Sequence, residues 1–348
     1  MEKSFKRSFA CKSWKSKPFI WLFLVSLLLV SNLSWSAQTV VRMAQPTNSL
    51  GFLSIYAARA NGYFNDEGIT LELIIVQGGA DIAALIGGSV DFDATSTGGL
   101  LRAFSGGTEL LGIHNILGKC MIDLAIRKDT AKRLGITPAM PVQERLKRIK
   151  GTVIGAGSGI AVIPYQVAYF LAKEAGLEPG KDVTILAAGG GDSALVALRN
   201  GHIDIMSYPP PFPQIAIKSG DAISLVANTK GEYPQLNSFQ QGVLLVRPEY
   251  AKKNPDTVRR VVLAMVRGSR WVAENDAKEV TKVVAKFFKN APSDVLPSTV
   301  EAIKPAVIPD GRMALDGLRG VEEVYRVNGV IKKPVPWDRL VTNEFLPQ

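Results

Sequence analysis

Two cysteines and two histidines are all that the 348 residues hold. Cys11 lies ahead of an apolar run that reads as a removable leader, so Cys120 alone would remain and no intrachain disulfide is expected. In "LGKCMIDLAI" Cys120 reads as a small buried hydrophobe rather than a nucleophile. A zinc site or a Ser-His triad would have to use His114 or His202, and neither has a local partner residue. Glycine motifs fail as well. "GAGSG" starts like a dinucleotide fingerprint, but Ile160 holds the third glycine place. Ala156 stands two residues before Ser158, so there is no nucleophile elbow. No metal, no cofactor and no enzymatic activity are expected. The chain also lacks a Lys/Arg block beyond its leader, which excludes nucleic acid as a partner. No 20-residue apolar segment follows the leader, so no spanning helix is expected.

The leader accounts for half of the apparent basicity. Lys3, Lys6, Arg7, Lys12, Lys15 and Lys17 precede an apolar run from Phe19 to Val30, interrupted by Ser26, and then "SNLSWSA". Twelve residues at 1.5 Å rise cover about 18 Å, short of a bilayer core of roughly 30 Å. Ser34 and Ser36 are the small residues a signal peptidase needs, so residues 1–36 read as a secretory signal and the mature protein as periplasmic. The net charge of +10 loses six bases and one acid, leaving about +5, a mild bias compatible with small anions. The chain from Ala37 onward still exceeds one ordinary core, so two lobes are expected.

What is present is a repetition. "ALIGGSVDF" (Ala84–Phe92) and "ALRNGHIDI" (Ala197–Ile205) share Ala, Leu, Gly and Asp at the same places. Around the first copy the pattern reads strand (Thr39–Ala44), helix (Phe52–Asn61), strand (Ile69–Val76), helix to Ile86 with Asp81 as cap, and strand ("VDFDA"). Around the second it reads strand (Gly151–Ala156), helix (Pro164–Ala175), strand ("DVTILAA"), helix capped by Asp192, and strand ("HIDIMSY"). Thr39-Val40-Val41 precedes Thr152-Val153-Ile154 by the same offset that separates Ala84 from Ala197. This is a duplicated β-α-β-α-β unit, the pattern of a parallel sheet flanked by helices. The shared Gly stops the helix in a left-handed conformation, and Asp91 and Asp204 bond backbone amides at the strand entrance. Beyond it, Asn254 caps a helix with Pro255 at its first position, and Val258, Val261, Val262, Met265 and Val272 recur at helical spacing as a core face. A last helix spans Met313 to Val327.

In open α/β sheets ligands sit beyond the carboxyl ends of strands. Four such loops are informative: "QPTNSLG" with Asn48, Ser49 and Leu50; "TSTGG" with Ser96 and Thr97; "GSGIA" with Ser158, Gly159 and Ile160; and "SYPPPFP" with Tyr208 and Pro209. They are rich in hydroxyls and free amides and contain no acid and no His. Ser and Gly ahead of a helix make an anion site, because the first N–H groups are unpaired and the dipole is positive there; equally, each hydroxyl could merely cap its own helix. Three or four charge-assisted hydrogen bonds at roughly 1.5–3 kcal/mol each would reach the roughly 8 kcal/mol of micromolar binding without an arginine clamp. The prolines of the fourth loop form a stiff apolar wall or a turn out of the sheet.

These segments carry a resemblance. "GFLSIYAARANGYFNDEGITLEL", the paired repeat, "GTVIGAGSG", "VRPEYAKKNPDTVRRVV" and "WDRLVTNEFL" resemble the sulfonate/taurine/nitrate-type solute-binding proteins, within the wider group that includes thiamine-precursor-binding proteins. The resemblance covers essentially the whole chain after the leader. It implies an α/β, two-lobe type II periplasmic binding fold, each lobe a mainly parallel sheet flanked by helices. Two strands near Cys120–Arg127 and Gln241–Arg247 cross between lobe one (37–119 and 242–348) and lobe two (120–241). It further implies a monomer that closes on its ligand and delivers it to ABC permease subunits. Nitrate is disfavoured, because the loops lack the Lys, Trp and His lining of nitrate-type members. Also absent is the cysteine-rich iron motif of the eukaryotic pyrimidine-synthesising relatives. A small organic anion, sulfonate or carboxylate, is the expected ligand; a pyrimidine, thiamine precursor or other uncharged ring stacked on Tyr208 is the alternative.

Overall fold

A computed structural model describes residues 38–348 except Gly78, Ala161 and Asn290. The signal segment expected over 1–36 lies outside the described residues. The first half runs β1 (Thr39–Gln45), α1 (Leu53–Ala60), β2 (Ile69–Ile75), α2 (Ala80–Ile86), β3 (Phe92–Ser96), α3 (Thr97–Ser105) and β4 (Leu111–Leu117). The second runs β5 (Asp123–Arg127), β6 (Val153–Ala156), α4 (Ile163–Glu174), β7 (Thr184–Leu186), α5 (Gly191–Arg199), β8 (Ile205–Tyr208), α6 (Phe212–Lys218) and β9 (Ala222–Val226). After β10 (Gly242–Val246), the long helix α7 (Pro255–Glu274) packs on α1 of the first half and α8 (Leu315–Val327) packs on both α3 and α4.

Two five-stranded sheets result, in the orders β2-β1-β3-β10-β4 and β7-β6-β8-β5-β9. In each, the fourth strand is antiparallel to its neighbours and arrives from the other half: β10 in the first sheet, β5 in the second. These are the two crossings expected. They are tied together where they meet, the Met121 N–H donating to Gln241 Oε1 at 2.6 Å, and the one leading into β5 is also held by the Asn228 side chain, which donates to the Ile122 carbonyl at 2.6 Å.

The repeat is visible in single hydrogen bonds. Ser89 N–H donates to the Ala84 carbonyl and His202 N–H to Ala197; Gly88 N–H donates to Leu85 and Gly201 N–H to Leu198. Gly88 at φ 77° and Gly201 at φ 74° supply the left-handed turn, which a side chain resists. The Asp91 carboxylate accepts the Arg42 N–H at 2.9 Å, and the Asp204 carboxylate accepts the Val153 N–H at 3.0 Å. Both aspartates clamp the strand next door. These bonds also correct the alignment of the first strands. Asp204 matches Asp91 at the offset of the repeat, which would set Gly155 against Arg42; the clamped residue is Val153 instead. A two-residue slip leaves every side chain on its face of the sheet, so the apolar pattern could not resolve it.

Alternation along β3 places Phe92 and Ala94 in the core that the first sheet shares with α1 and α7, and turns Asp93 and Thr95 to the face covered by α2, α3 and α8. The helical stripe Val258, Val261, Val262, Met265 and Val272 is fully buried on α7. Gly268 lets α7 approach α1 closely, since a Cβ there would run into the Ser54 carbonyl. Three caps differ from expectation. Gly79 and Gly190 hold the N-cap positions of α2 and α5. Asp81 and Asp192 therefore sit inside the first turn, where a carboxylate still complements the dipole. Asn254 holds the cap position of α7, but its side chain donates back to the Tyr250 carbonyl at 3.1 Å.

Candidate functional site

The carboxyl ends of both sheets open onto one cavity of about 110 Å³. Where about 10–15 Å³ suffices for one water, this volume admits a small molecule. The first half contributes Ser49, Phe52, Gln77, Asp81, Thr95, Ser96 and Arg102; the second contributes Gly157, Ser158, Pro164, Gly189–Gly191, Tyr208, Pro209 and Phe212. The crossing strand adds Gln241, whose side chain holds Met121 and whose carbonyl accepts the Thr97 N–H at 2.9 Å. A ligand here touches both lobes and the connection between them.

Five of the ten residues singled out from the sequence line the cavity: Ser49, Ser96, Ser158, Tyr208 and Pro209. The other five stand outside its lining. The Asn48 amide donates to the Phe287 carbonyl at 2.8 Å and its oxygen accepts from the Tyr56 hydroxyl at 2.7 Å. Leu50 is fully buried, and its N–H reaches across the cleft to the Pro210 carbonyl at 3.3 Å. The Thr97 N–H is occupied by Gln241, and the Gly159 carbonyl accepts from Val162. Ile160 is 68% exposed. Ser49 Oγ accepts the Gly51 N–H at 3.0 Å, which makes it the cap of its own turn. The helix expected over Pro164–Ala175 runs Ile163–Glu174, so it begins beyond the Ser158 loop, and Pro164 in its first turn leaves one of its first amides without an N–H.

Helices α3, α4 and α5 nevertheless all begin at the cavity, through Ser96, Ile163 and Gly191, and the positive ends of their dipoles favour negative charge there. Tyr208 is fixed by its hydroxyl, which donates to the carbonyls of Gly189 (2.8 Å) and Gly157 (3.2 Å). Its burial pushes the phenol pKa up, with the Gly157 bond opposing. The ring thus stands as a neutral wall beside Pro209 and Phe212.

Sequence reasoning missed the charges. Among the described residues, Arg102 is the one cationic side chain lining the cavity and Asp81 the one acidic. Asp81 is 1% exposed and accepts the Thr95 hydroxyl at 2.7 Å. Behind it Asp93 is fully buried; burial first, then the neighbouring Asp81, raise its carboxyl well above the ordinary range, against the pull of Arg102. All three lie off the strand-end loops. His114 and Cys120 are not part of the site. Both are buried away from the cavity, burial lowering the imidazole pKa to about 4 and raising the thiol to about 12. His202 is exposed. Among the described residues no cluster of His, Cys, Asp and Glu is suited to a metal.

The two swapped-strand sheets facing one interlobe cavity define a two-lobe, type II periplasmic binding fold. The family model described as NMT1/THI5 like matches residues 49–279, and the chain belongs to that family. A protein of Bacillus subtilis (strain 168), YtlA, provisionally named a binding protein, is 20% identical over 315 residues, which are 88% of this chain and 89% of that one. A solved structure from Bordetella bronchiseptica RB50 superposes with a TM-score of 0.76 at 22% identity, covering 88% of this chain and 95% of that one. The alkanesulfonate-binding protein SsuA of Xanthomonas axonopodis pv. citri, bound to MOPS, superposes with a TM-score of 0.69 at 16% identity, over 87% and 98% of the two chains.

Proposed function

We propose that this chain is the extracytoplasmic binding component of an ABC importer and captures a small organic anion, a sulfonate or carboxylate, between its lobes. The single observation that carries the reading is Arg102 in the cavity wall, facing a lining of serines, glycines and three helix starts. A guanidinium and a cluster of peptide N–H groups bind an anion by charge-assisted hydrogen bonds, each worth about 1.5–3 kcal/mol. Tyr208, Pro209, Phe52 and Phe212 would hold the organic part. The sulfonate ligand of the Xanthomonas relative and the secretory pattern of residues 1–36 support the reading. Lobe one is taken as 37–119 with 242–348 and lobe two as 120–241, acting as a monomer and meeting permease subunits when closed.

Closure is the working step, and the bonds that span the cleft are its means. They are Leu50 to Pro210, Asn328 to Gln166 at 2.8 Å, and Lys218 to Asp294 at 3.0 Å. A ligand that contacts both lobes stabilises the closed state by its differential affinity for it. Titration calorimetry of the mature protein against alkanesulfonates, short carboxylates and pyrimidines tests the ligand class. Micromolar binding of a sulfonate or carboxylate is expected, with compaction in solution scattering. The aromatic lining favours a second reading, an uncharged ring; binding of pyrimidines with no response to any anion would establish it instead.

A further inference from the structure

We propose that Asp81 and Asp93 form a carboxyl pair that holds one proton between them and positions the Arg102 guanidinium for the ligand's anionic group; this rests on the anion reading of the cavity. Both acids are buried, Asp81 to 1% exposure and Asp93 to 0%. The Thr95 hydroxyl serves one Asp81 oxygen. The other Asp81 oxygen and both Asp93 oxygens have no hydrogen-bond donor among the described residues. Two adjacent buried carboxylates repel each other and lose their hydration. A single shared proton resolves both problems, because the neutral acid donates and its neighbour accepts.

The second half of the molecule shows that the scaffold does not need these charges. Asp93 pairs with Ala44 as Met206 pairs with Gly155. Gly106 N–H donates to the Arg102 carbonyl as Ser219 N–H donates to Ile215. Asp81 precedes Ala84 by three residues, as Ala194 precedes Ala197. The same three places thus hold Asp, Asp and Arg in one half and Ala, Met and Ile in the other. A fold that packs with apolar residues at these places leaves the charges to the site.

Four ionisable groups meet here: Asp81 from α2, Asp93 from β3, Arg102 from α3 and Tyr325 from α8, whose hydroxyl fills the space where Gly98 has no Cβ. Burial pushes the Tyr325 phenol to about 12, so it stays neutral. With one proton on the pair, the remaining carboxylate offsets Arg102. When Asp93 gives up that proton, a second negative charge competes with the ligand for the guanidinium, and affinity falls as pH rises. Asp93 is a positioning residue in this scheme, since it acts through Arg102.

Carbon-13 NMR of aspartate-labelled mature protein tests the pair without any ligand. One side-chain carboxyl should remain protonated at pH 7 and its signal should vanish in Asp93→Asn. Ethanesulfonate, ionised throughout, tests the coupling. Its Kd should be flat at low pH and rise by up to about tenfold per unit above the titration of the pair, whereas Asp93→Asn, which keeps a donor, should bind with a flat profile. Should that variant fail to fold, wild-type calorimetry in phosphate and in Tris should show net proton uptake on binding near that titration. All aspartates ionised at pH 7, identical pH profiles in wild type and variant, or binding without proton uptake would overturn the proposal. A protonated Asp93 in a protein that binds no member of the anion panel would sink the anion reading and leave the carboxyl pair standing.

Discussion

The two halves of this molecule share a scaffold down to individual turns, yet their cleft-facing surfaces are opposite in character. The first half places Asp81, Asp93 and Arg102 beneath its part of the cavity. The second places glycines, Pro209 and a neutral Tyr208 there, over Ala194, Met206 and Ile215. A scaffold that tolerates both sets is indifferent to them, so the polarity belongs to recognition. One lobe supplies charge and the other supplies shape and peptide N–H groups. In the proposed function, closure would bring the two together around the ligand.

The largest effect should come from erasing this difference. The triple change Asp81→Ala, Asp93→Met, Arg102→Ile copies the second half into the first. Replacing a buried charged cluster with apolar residues of matched size is often neutral or stabilising, so the melting temperature should hold or rise. Anion binding should weaken by about 3 kcal/mol, roughly 150-fold, through loss of the guanidinium contact. Calorimetry and thermal unfolding on one preparation separate the two outcomes. A variant that unfolds would show that the charges are structural after all.

That same difference marks the boundary of what could be read from residues alone. The repeat and the helical stripe on α7 were legible from periodicity and from residues that stop helices, and the two crossings only through the family resemblance. The serines were found because they sit at strand ends. Half of the chosen loop residues do not line the cavity, since a loop that turns sharply spends amides such as Thr97 N–H on backbone partners. Arg102 was missed because it lies in the body of α3, where a lone arginine reads as a solvated face. Asp81 was read as a cap because an aspartate just ahead of an apolar helical run has that signature. A signal was present: set in register, the two halves oppose Asp to Ala, Asp to Met and Arg to Ile within a pattern that otherwise agrees. The offset that carries Ala84 onto Ala197 is correct for all three positions, though not for the first strand.

A second asymmetry lies in the sheets themselves. His114 on β4 pairs with Leu244 of the incoming strand, and Val226 on β9 pairs with Leu124 of the other. Burial lowers the His114 pKa to about 4, against roughly 6.5 in an unfolded chain. Between these values the unfolded chain binds more protons than the folded one, so stability is lost as pH falls from about 6.5 to about 4, by at most about 1.4 kcal/mol per unit. His114→Val, which copies the second half, should lose packing against Gly311 at every pH but remove this slope. In urea unfolding from pH 7 to pH 4, wild type should lose up to about 3 kcal/mol more than the variant, the integral of that slope over the window. Parallel curves would mean that His114 is solvated or paired on protonation.

The smallest difference concerns a bond that both halves make. Asp91 accepts the Arg42 N–H and also pairs with the Arg42 guanidinium at 2.9 Å, where that side chain is 42% exposed. Asp204 accepts the Val153 N–H and the Thr130 hydroxyl at 2.7 Å. Removing either carboxylate leaves a backbone N–H at a strand entrance without its acceptor, at a cost of about 1–3 kcal/mol. A half-exposed ion pair adds little to that, because solvent screens it. Asp91→Ala and Asp204→Ala should therefore destabilise by amounts within about 0.5 kcal/mol of each other in urea, and high salt should not change their order. If Asp91→Ala costs clearly more at low salt and the excess disappears at high salt, the Arg42 guanidinium contributes more than the looser Arg133 contact of Asp204 at 3.9 Å, and the clamp is more electrostatic in the first half than in the second.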